Sequence, residues 1–284
     1  MSTWVWVDGV VVPAGEATVG ALDHGITVGD GVFETCKVVE GTAFALTRHL
    51  ARLRRSAEII GLALQGGDSA VRSACADAVG AALRDPANAG SGVGRLRITV
   101  TAGPGPLGSG RDEVPPTMVV AAGPGAPWPP TTDVVTVGWA RNERSAVAGA
   151  KTTSYAENVV ILAEAQRRGA SEAVLCDTRG RLSEGTGSNL FLAVDGELCT
   201  PSLATGCLAG ITRALVLEGV AAVERDDLTV ADLARAPEAF LTSSTRDVHP
   251  IAHVDGSALA AAPGPLTRAA LEAFTRLQSV TLDP

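Results

Sequence analysis

Ala148-Gly149-Ala150-Lys151-Thr152-Thr153-Ser154-Tyr155 holds one of only two lysines among the 23 basic residues of a 284-residue chain; the other is Lys37, and the rest are arginine. The excess of Ala, Gly and Arg looks like the coding bias of a GC-rich genome. Under such bias a surface lysine is readily replaced by arginine, so a lysine that persists is a candidate for chemistry that needs a neutral amine. Small residues on both sides of Lys151 leave its amine reachable from a pocket, and partial burial lowers an amine's pKa and frees its lone pair. The plainer alternative is a solvated loop lysine, as most lysines are. Lys37 follows Glu34 by three positions in a strand-like run, which puts the two on opposite faces, and for Lys37 the solvated reading is favoured.

Three stretches downstream and one upstream extend the pattern. In Leu182-Ser-Glu-Gly-Thr-Gly-Ser-Asn-Leu-Phe191, Glu184 precedes a small-residue loop that enters a strand, a place where a carboxylate could hold a heterocyclic nitrogen protonated. In Gly206-Cys-Leu-Ala-Gly-Ile-Thr-Arg213 a helix opens after Gly210, leaving the Ile211 and Thr212 amides free to bind an anion such as phosphate. Leu241-Thr-Ser-Ser-Thr-Arg-Asp247 places hydroxyls at a strand end, and Leu50-Ala-Arg-Leu-Arg-Arg-Ser-Ala57 supplies an arginine. Each stretch alone is explained equally well by turn and capping chemistry. Together they describe a phosphate-bearing aldehyde with its nitrogen end and its phosphate end both served.

Periodicity predicts hairpins at residues 4–12 and 32–46, a helix over 47–62 with Thr47 as N-cap, a helix over 69–83, and strands at 94–101 and 117–122. After the proline-rich stretch 124–130 come a strand at 134–139, a helix at 154–169, strands at 173–176 and 189–194, a helix at 210–220, a strand at 239–242 and a terminal helix at 266–277. Strands and helices alternate without a regular β-α-β beat, so a mixed α+β architecture in two domains is expected. The division predicted is 1–122, a linker at 123–130, and 131–284.

Composition excludes several classes. A net charge of −8, from 23 basic against 31 acidic residues, has the wrong sign for a nucleic-acid footprint. No apolar run is long enough for a membrane span and no secretory leader is evident, so a cytoplasmic protein is expected. Cys36, Cys75, Cys176, Cys199 and Cys207 lie far apart, which argues against a disulfide framework and against a metal site.

The order and spacing of these motifs resemble those of the fold-type IV pyridoxal-phosphate enzymes, the class IV aminotransferase family. The resemblance runs from Val7-Asp8-Gly9 through Leu22-Asp-His-Gly-Ile-Thr-Val-Gly-Asp-Gly-Val-Phe-Glu-Thr35 to His249-Pro250. It implies a smaller N-terminal α/β domain, a larger C-terminal domain with a pseudo-barrel sheet, an active site between the domains, and a homodimer. It implies pyridoxal 5'-phosphate as cofactor, with Lys151 forming the Schiff base and moving the substrate Cα proton, and Glu184 pairing with the pyridine nitrogen. Arg52, Ile211, Thr212, Ser243 and Ser244 would serve the phosphate, and Leu208 would lie against the ring. His24, Phe33 and Tyr155 are the candidate substrate residues.

Within the family, Phe33-Glu34-Thr35 is most like the aminodeoxychorismate lyases of folate biosynthesis, which release pyruvate and 4-aminobenzoate by β-elimination. D-amino acid transaminases carry a tyrosine at the place of Phe33, and their Arg-x-His pair is not visible in Gly103 to Arg111. The arginine strand motif of branched-chain enzymes is altered, and Tyr155 falls one residue earlier than their tyrosine. The expectation is therefore a lyase, with a transaminase of branched-chain, D-amino acid or (R)-amine type as the alternative. A cofactor-binding protein without turnover is a third reading, disfavoured by Lys151 and Glu184 occurring together.

Overall fold

The computed structural model describes residues 1–90 and 92–284. It separates into two compact units. The first comprises Met1–Ala126, Ala150–Tyr155 and Thr281–Pro284, and the second Pro127–Gly149 and Ala156–Val280. The main crossing falls inside the predicted linker, but the division is not into contiguous blocks. The lysine segment and the last four residues both pack with the first unit, because each is recruited by backbone hydrogen bonds described below.

The first unit contains β1 (Trp4–Val7), β2 (Val10–Pro13), the short α1 (His24–Thr27), β3 (Gly31–Val39), β4 (Thr42–Ala43), α2 (Leu46–Ile59), α3 (Gly67–Arg84), β5 (Arg95–Thr101) and β6 (Thr117–Gly123). Its sheet is antiparallel in the order β2-β1-β6-β5-β3-β4. Strand parity assigns the faces. Val32, Cys36 and Val38 of β3 join Leu96, Ile98 and Val100 of β5 and Val120 and Ala122 of β6 in one buried cluster with Leu50, Leu53 and Ala57 of α2 and Ala74, Ala78 and Ala82 of α3. Glu34 has the same parity as Val32 and Cys36 and lies within this apolar layer, wholly buried.

Helix α2 is not capped by Thr47 as predicted. Its N-cap is Ala45, in the left-handed region at φ 55°, with no side-chain cap. The C-terminal tail supplies the missing partners: Ala45 N–H donates to Leu282 O at 2.7 Å, Thr47 N–H to Asp283 Oδ1 at 2.8 Å and Arg48 Nε to Pro284 O at 2.8 Å. A capping residue more than 230 positions away in sequence leaves no local signal, and the first-turn threonine takes its place in a pattern-based reading.

The second unit contains β7 (Thr132–Arg141), α4 (Ala156–Arg167), β8 (Glu172–Asp177), β9 (Leu182–Gly185), β10 (Asn189–Val194), β11 (Glu197–Pro201), α5 (Ile211–Gly219), β12 (Val223–Arg225), α6 (Val230–Arg235), β13 (Ala239–Ser243), β14 (Asp247–Val254), β15 (Ser257–Ala258) and α7 (Pro265–Val280). Its mixed sheet runs β12-β11-β10-β13-β14-β7-β8-β9, with β15 on β14. The β7–β8, β7–β14 and β11–β12 pairs are parallel and the rest antiparallel. The sheet is curled into a half-barrel, and the α+β expectation holds. Leu190, Phe191 and Leu192 are all fully buried, so β10 is covered on both faces, and Phe191 stacks on Phe240 at 4.8 Å. Among the described residues no helix is long and apolar enough to cross a membrane.

Candidate active site

In the first unit the lysine segment is bound to the start of β3 as an added strand fragment. Phe33 N–H donates to Lys151 O at 3.0 Å, Thr153 N–H to Gly31 O at 2.8 Å, and Val32 and Thr152 form a bridge. Thr153 and Ser154 hydroxyls both donate to Gly29 O, at 2.8 and 2.9 Å. The Lys151 N–H itself donates to Ser56 Oγ at 3.0 Å, a hydroxyl on α2 with no solvent exposure. A lysine segment held at five backbone and hydroxyl contacts, two of them on Lys151 itself, is a positioned element.

The Lys151 amine is half-buried and lies 4.4 Å from the centroid of Phe33 and 5.9 Å from that of Tyr155, and the two rings meet edge to face at 5.3 Å. Phe33 and Tyr155 are thus brought to Lys151. On the same Phe33 ring sits Arg97 of β5, its guanidinium carbon 3.8 Å from the centroid. Parity explains this: Arg97 lies on the sheet face opposite Ile98, the same face as Phe33, and β5 pairs Arg97 with Thr35. Arg97 is exposed, and among the described residues its one polar contact is a long one to Thr99 Oγ1 at 3.4 Å and no carboxylate pairs with it. The sequence reading did not single it out, although the alternation of Arg95-Leu-Arg97 was the signal.

On the opposite face of β3, Glu34 takes a bidentate pair from Arg52: Nε to Oε1 and Nη2 to Oε2, each at 2.7 Å. His49 Nδ1 lies 2.7 Å from Glu34 Oε2. Burial alone would raise the Glu34 carboxyl, but the charge and hydrogen bonds of Arg52, with His49 adding to them, hold it well below the usual carboxylate range. His49 is pushed down chiefly by burial, partly offset by Glu34, and so donates Nδ1–H as a neutral ring.

His24 is placed differently from Phe33 and Tyr155. It is buried at the start of α1, Nε2 is 3.1 Å from Pro106 O, and Nδ1 is 3.6 Å from Asp30. Asp30 in turn is gripped by Arg111 through Nε and Nη2 at 2.6 Å each, while Arg111 also donates to Ile60 O and Gly61 O. These contacts tie the loop after β5 to the end of α2.

In the second unit Glu184 lies on a strand, β9, where the sequence reading assigned no element and placed it just ahead of a loop. The residues Ser, Glu and Gly disfavour a strand by composition, and pairing with β8 overrides that. Glu184 is buried; Oε2 accepts Leu208 N–H at 2.9 Å and Oε1 is ion-paired with Arg141 Nε at 3.1 Å. Arg141, which the sequence reading missed, also reaches Asn158 Oδ1 and Glu157 Oε2 at 3.3 Å each. One carboxylate oxygen therefore fixes the Leu208 backbone that leads into α5.

Helix α5 opens at Ile211 with Gly210 as N-cap and no side-chain cap. Asn189 explains the glycine: its Nδ2 donates to Leu208 O at 2.8 Å, and a Cβ on Gly210 would fall 1.9 Å from its Oδ1. The close approach excludes any side chain at 210, and the first amides of the helix are left for another acceptor. Thr212 is buried in the first turn, and Ser243 ends β13 with Ser244 next to it, Ser243 Oγ accepting Arg246 N–H at 3.2 Å.

The groups fit the chemistry expected of them, each unit taken by itself. The first offers a positioned amine on aromatic faces and an arginine; the second offers a buried carboxylate for a protonated ring nitrogen and an uncapped helix terminus with hydroxyls for a phosphate. Comparison with known proteins agrees. The family model described as amino-transferase class IV matches residues 31–254. A D-alanine aminotransferase of Bacillus licheniformis is 31% identical over 93% of this chain and 93% of its own length. Among solved structures, a branched-chain aminotransferase of the archaeon Thermoproteus uzoniensis with norvaline superposes with a TM-score of 0.86 at 29% identity, covering 98% of this chain and 95% of that one. A hypothetical aminotransferase from Mycobacterium tuberculosis in its PLP-bound form gives a TM-score of 0.80 at 27% identity, covering 96% of this chain and 97% of that one. The chain belongs to the class IV aminotransferase family, and its cofactor is pyridoxal phosphate.

Proposed function

We propose that this protein is an amino-acid aminotransferase with Lys151 as the residue that holds pyridoxal phosphate as a Schiff base, and with a homodimeric, cytoplasmic working form. Two of the relatives named above are a branched-chain and a D-alanine aminotransferase, which supports the transaminase reading over the lyase expected from Phe33-Glu34-Thr35. The observation that carries it is the sharing of one ring, Phe33, by the Lys151 amine at 4.4 Å and the Arg97 guanidinium at 3.8 Å. A 2-amino acid carries an amine and a carboxylate on one carbon, and Arg97 is a cation without a carboxylate partner among the described residues.

The cofactor, when bound, supplies an aldehyde that condenses with amines and a ring that accepts electrons from a cleaved Cα bond. The protein supplies the rest. Lys151 Nζ takes the Cα proton and returns it, which requires the amine to be held in place; the Ser56 and β3 contacts fix the backbone that carries it. Glu184 keeps a proton on the ring nitrogen. In the second unit the Ile211 and Thr212 amides and the Thr212, Ser243 and Ser244 hydroxyls would hold the phosphate and Leu208 would lie against the ring; in the first, Arg52 would serve the phosphate. Phe33 and Tyr155 wall the amine.

The test is acceptor dependence. Purified enzyme is given L-leucine or D-alanine with and without 2-oxoglutarate or pyruvate, and separately aminodeoxychorismate with no acceptor. Turnover of an amino acid that requires a keto acid is expected. Sustained release of 4-aminobenzoate and pyruvate without an acceptor, with no amino acid consumed, would establish the lyase instead.

A further inference from the structure

Helix α2 presents His49, Arg52 and Ser56 at spacings of three and four, hence along one face. Beneath that face lies Glu34, with no solvent exposure and both carboxylate oxygens engaged. A carboxylate in an apolar layer is costly unless paired, and the apolar neighbours Val32 and Cys36 on the same strand show that an aliphatic residue would suit the layer. The charge at position 34 therefore calls for a reason beyond packing. It is found in the geometry: Glu34 grips Arg52 by Nε and Nη2 together, the fork-to-fork arrangement that fixes both position and plane of a guanidinium. His49 closes the set by donating to Glu34 Oε2, so the carboxylate cannot swing away. Further along the same face Ser56 receives the Lys151 N–H.

We propose that Glu34 is a positioning residue for cofactor binding: it locks the Arg52 guanidinium in the pose that meets the phosphate, on the helix face that also pegs the lysine backbone. The inference rests on the reading of Arg52 as a phosphate ligand. Two effects of Glu34 oppose one another. Its negative charge offsets the Arg52 charge and so weakens attraction for a dianion, while its fork removes the rotamer freedom that Arg52 would otherwise lose on binding. The proposal is that the second effect wins, which gives the experiment a sign.

Release of pyridoxal phosphate from the holoenzyme is followed after dilution, with 31P spectra of the bound phosphate and thermal melts recorded alongside, for wild type, Glu34→Gln, Glu34→Asp, Arg52→Ala and the double variant Glu34→Gln/Arg52→Ala. Arg52→Ala is expected to weaken retention on the order of fifty-fold, as loss of a charged hydrogen bond does. Glu34→Gln is expected to weaken it about tenfold through lost preorganisation, with a shifted or broadened phosphorus resonance. Glu34→Asp keeps the charge but withdraws it by one methylene, and the same direction is expected in a protein whose melt shows it folded. The double variant should release no faster than Arg52→Ala alone. Retention in Glu34→Gln or Glu34→Asp equal to or tighter than wild type, while Arg52→Ala is weak, overturns the proposal and leaves Arg52 in place. A full Glu34→Gln effect in the Arg52→Ala background also overturns it. Unchanged retention in Arg52→Ala would instead remove Arg52 from the phosphate site, a distinct failure of the underlying reading.

Discussion

In the first unit the groups assigned to chemistry are held by side chains: Glu34 grips Arg52, Ser56 holds the Lys151 peptide, and Phe33 lies under both Lys151 and Arg97. In the second, backbone and steric exclusion join one ion pair: Glu184 is anchored on Leu208 N–H as well as by Arg141, and the α5 terminus is kept open by a glycine that Asn189 crowds. Charged, forked contacts respond to changes of charge and of pH. Backbone contacts barely do, but they fail when a single carbon is added in the wrong place. The same family chemistry is thus supported by two kinds of rigidity, and substitutions that strike one kind should leave the other intact.

The largest effect is expected where the side-chain unit carries the reacting atom. On the proposed reading Lys151→Ala removes both the imine-forming amine and the proton carrier, and a loss of about a thousandfold or more in turnover is expected, within the range that general acid-base catalysis supplies. Borohydride reduction of the wild-type holoenzyme followed by peptide mapping should place the cofactor on Lys151; a label on Lys37 would contradict the assignment.

In the second unit, Glu184→Gln roughly preserves shape while removing the charge opposite Arg141 and, on the proposed reading, opposite the cofactor's ring nitrogen. Loss of a buried charged partner costs about 3 kcal/mol, on the order of a hundredfold in rate. Cofactor should still be retained. Gly210→Ala tests the steric half of the comparison: its Cβ would meet Asn189 Oδ1 at 1.9 Å, so either Asn189 or the first turn of α5 must shift. Such overpacking is expected to cost about 1–3 kcal/mol of stability together with weaker cofactor retention, measured by thermal melt and by dialysis. Wild-type behaviour in Gly210→Ala would show that the terminus is not held by exclusion.

The two kinds of support also differ in how far they can be read without a structure. Lys151, Glu184 and the Gly210-Ile211-Thr212 terminus lie in short stretches whose small residues announce an open backbone, and a local reading finds them. Glu34, Arg97 and Ser56 act through strand parity and helix phase across partners 15 to 95 residues apart, and parity alone says that Glu34 and Lys37 oppose each other without saying which faces inward. Strands β9, β11 and β14 went unread for local reasons. Leu182–Gly185 has loop composition, Glu197–Pro201 ends in proline, and β14 begins at a positive-φ Asp247 and contains Pro250, which pairs with Phe240. The predicted cap at Thr47 yielded to Asp283 because tertiary contacts can supply what the local sequence does not.

The smallest expected effect is in pH dependence, and it separates two windows. His49 of the first unit and His249 of the second are both pushed below the usual imidazole value, in each case first by burial; His49 is partly offset by Glu34 and pushed further by Arg52, and His249 is partly offset by its bond to Pro129 O and pushed further by Arg246. A histidine whose folded pKa is depressed binds fewer protons in the folded state than in the unfolded one. Its contribution to stability is thus complete above about pH 6.5 and declines as the pH falls through that value toward the folded pKa. Glu34 also has a depressed folded pKa, so its contribution is complete above about pH 4.3 and is lost only on further acidification. Thermal melts should therefore show a first decline in Tm between pH 7 and 5, and a second, steeper one below pH 4. His49→Gln, which cannot charge, should flatten the first decline by its own share and leave the His249 share in place. A Tm independent of pH from 7 to 5 in the wild type would mean that neither ring is held neutral.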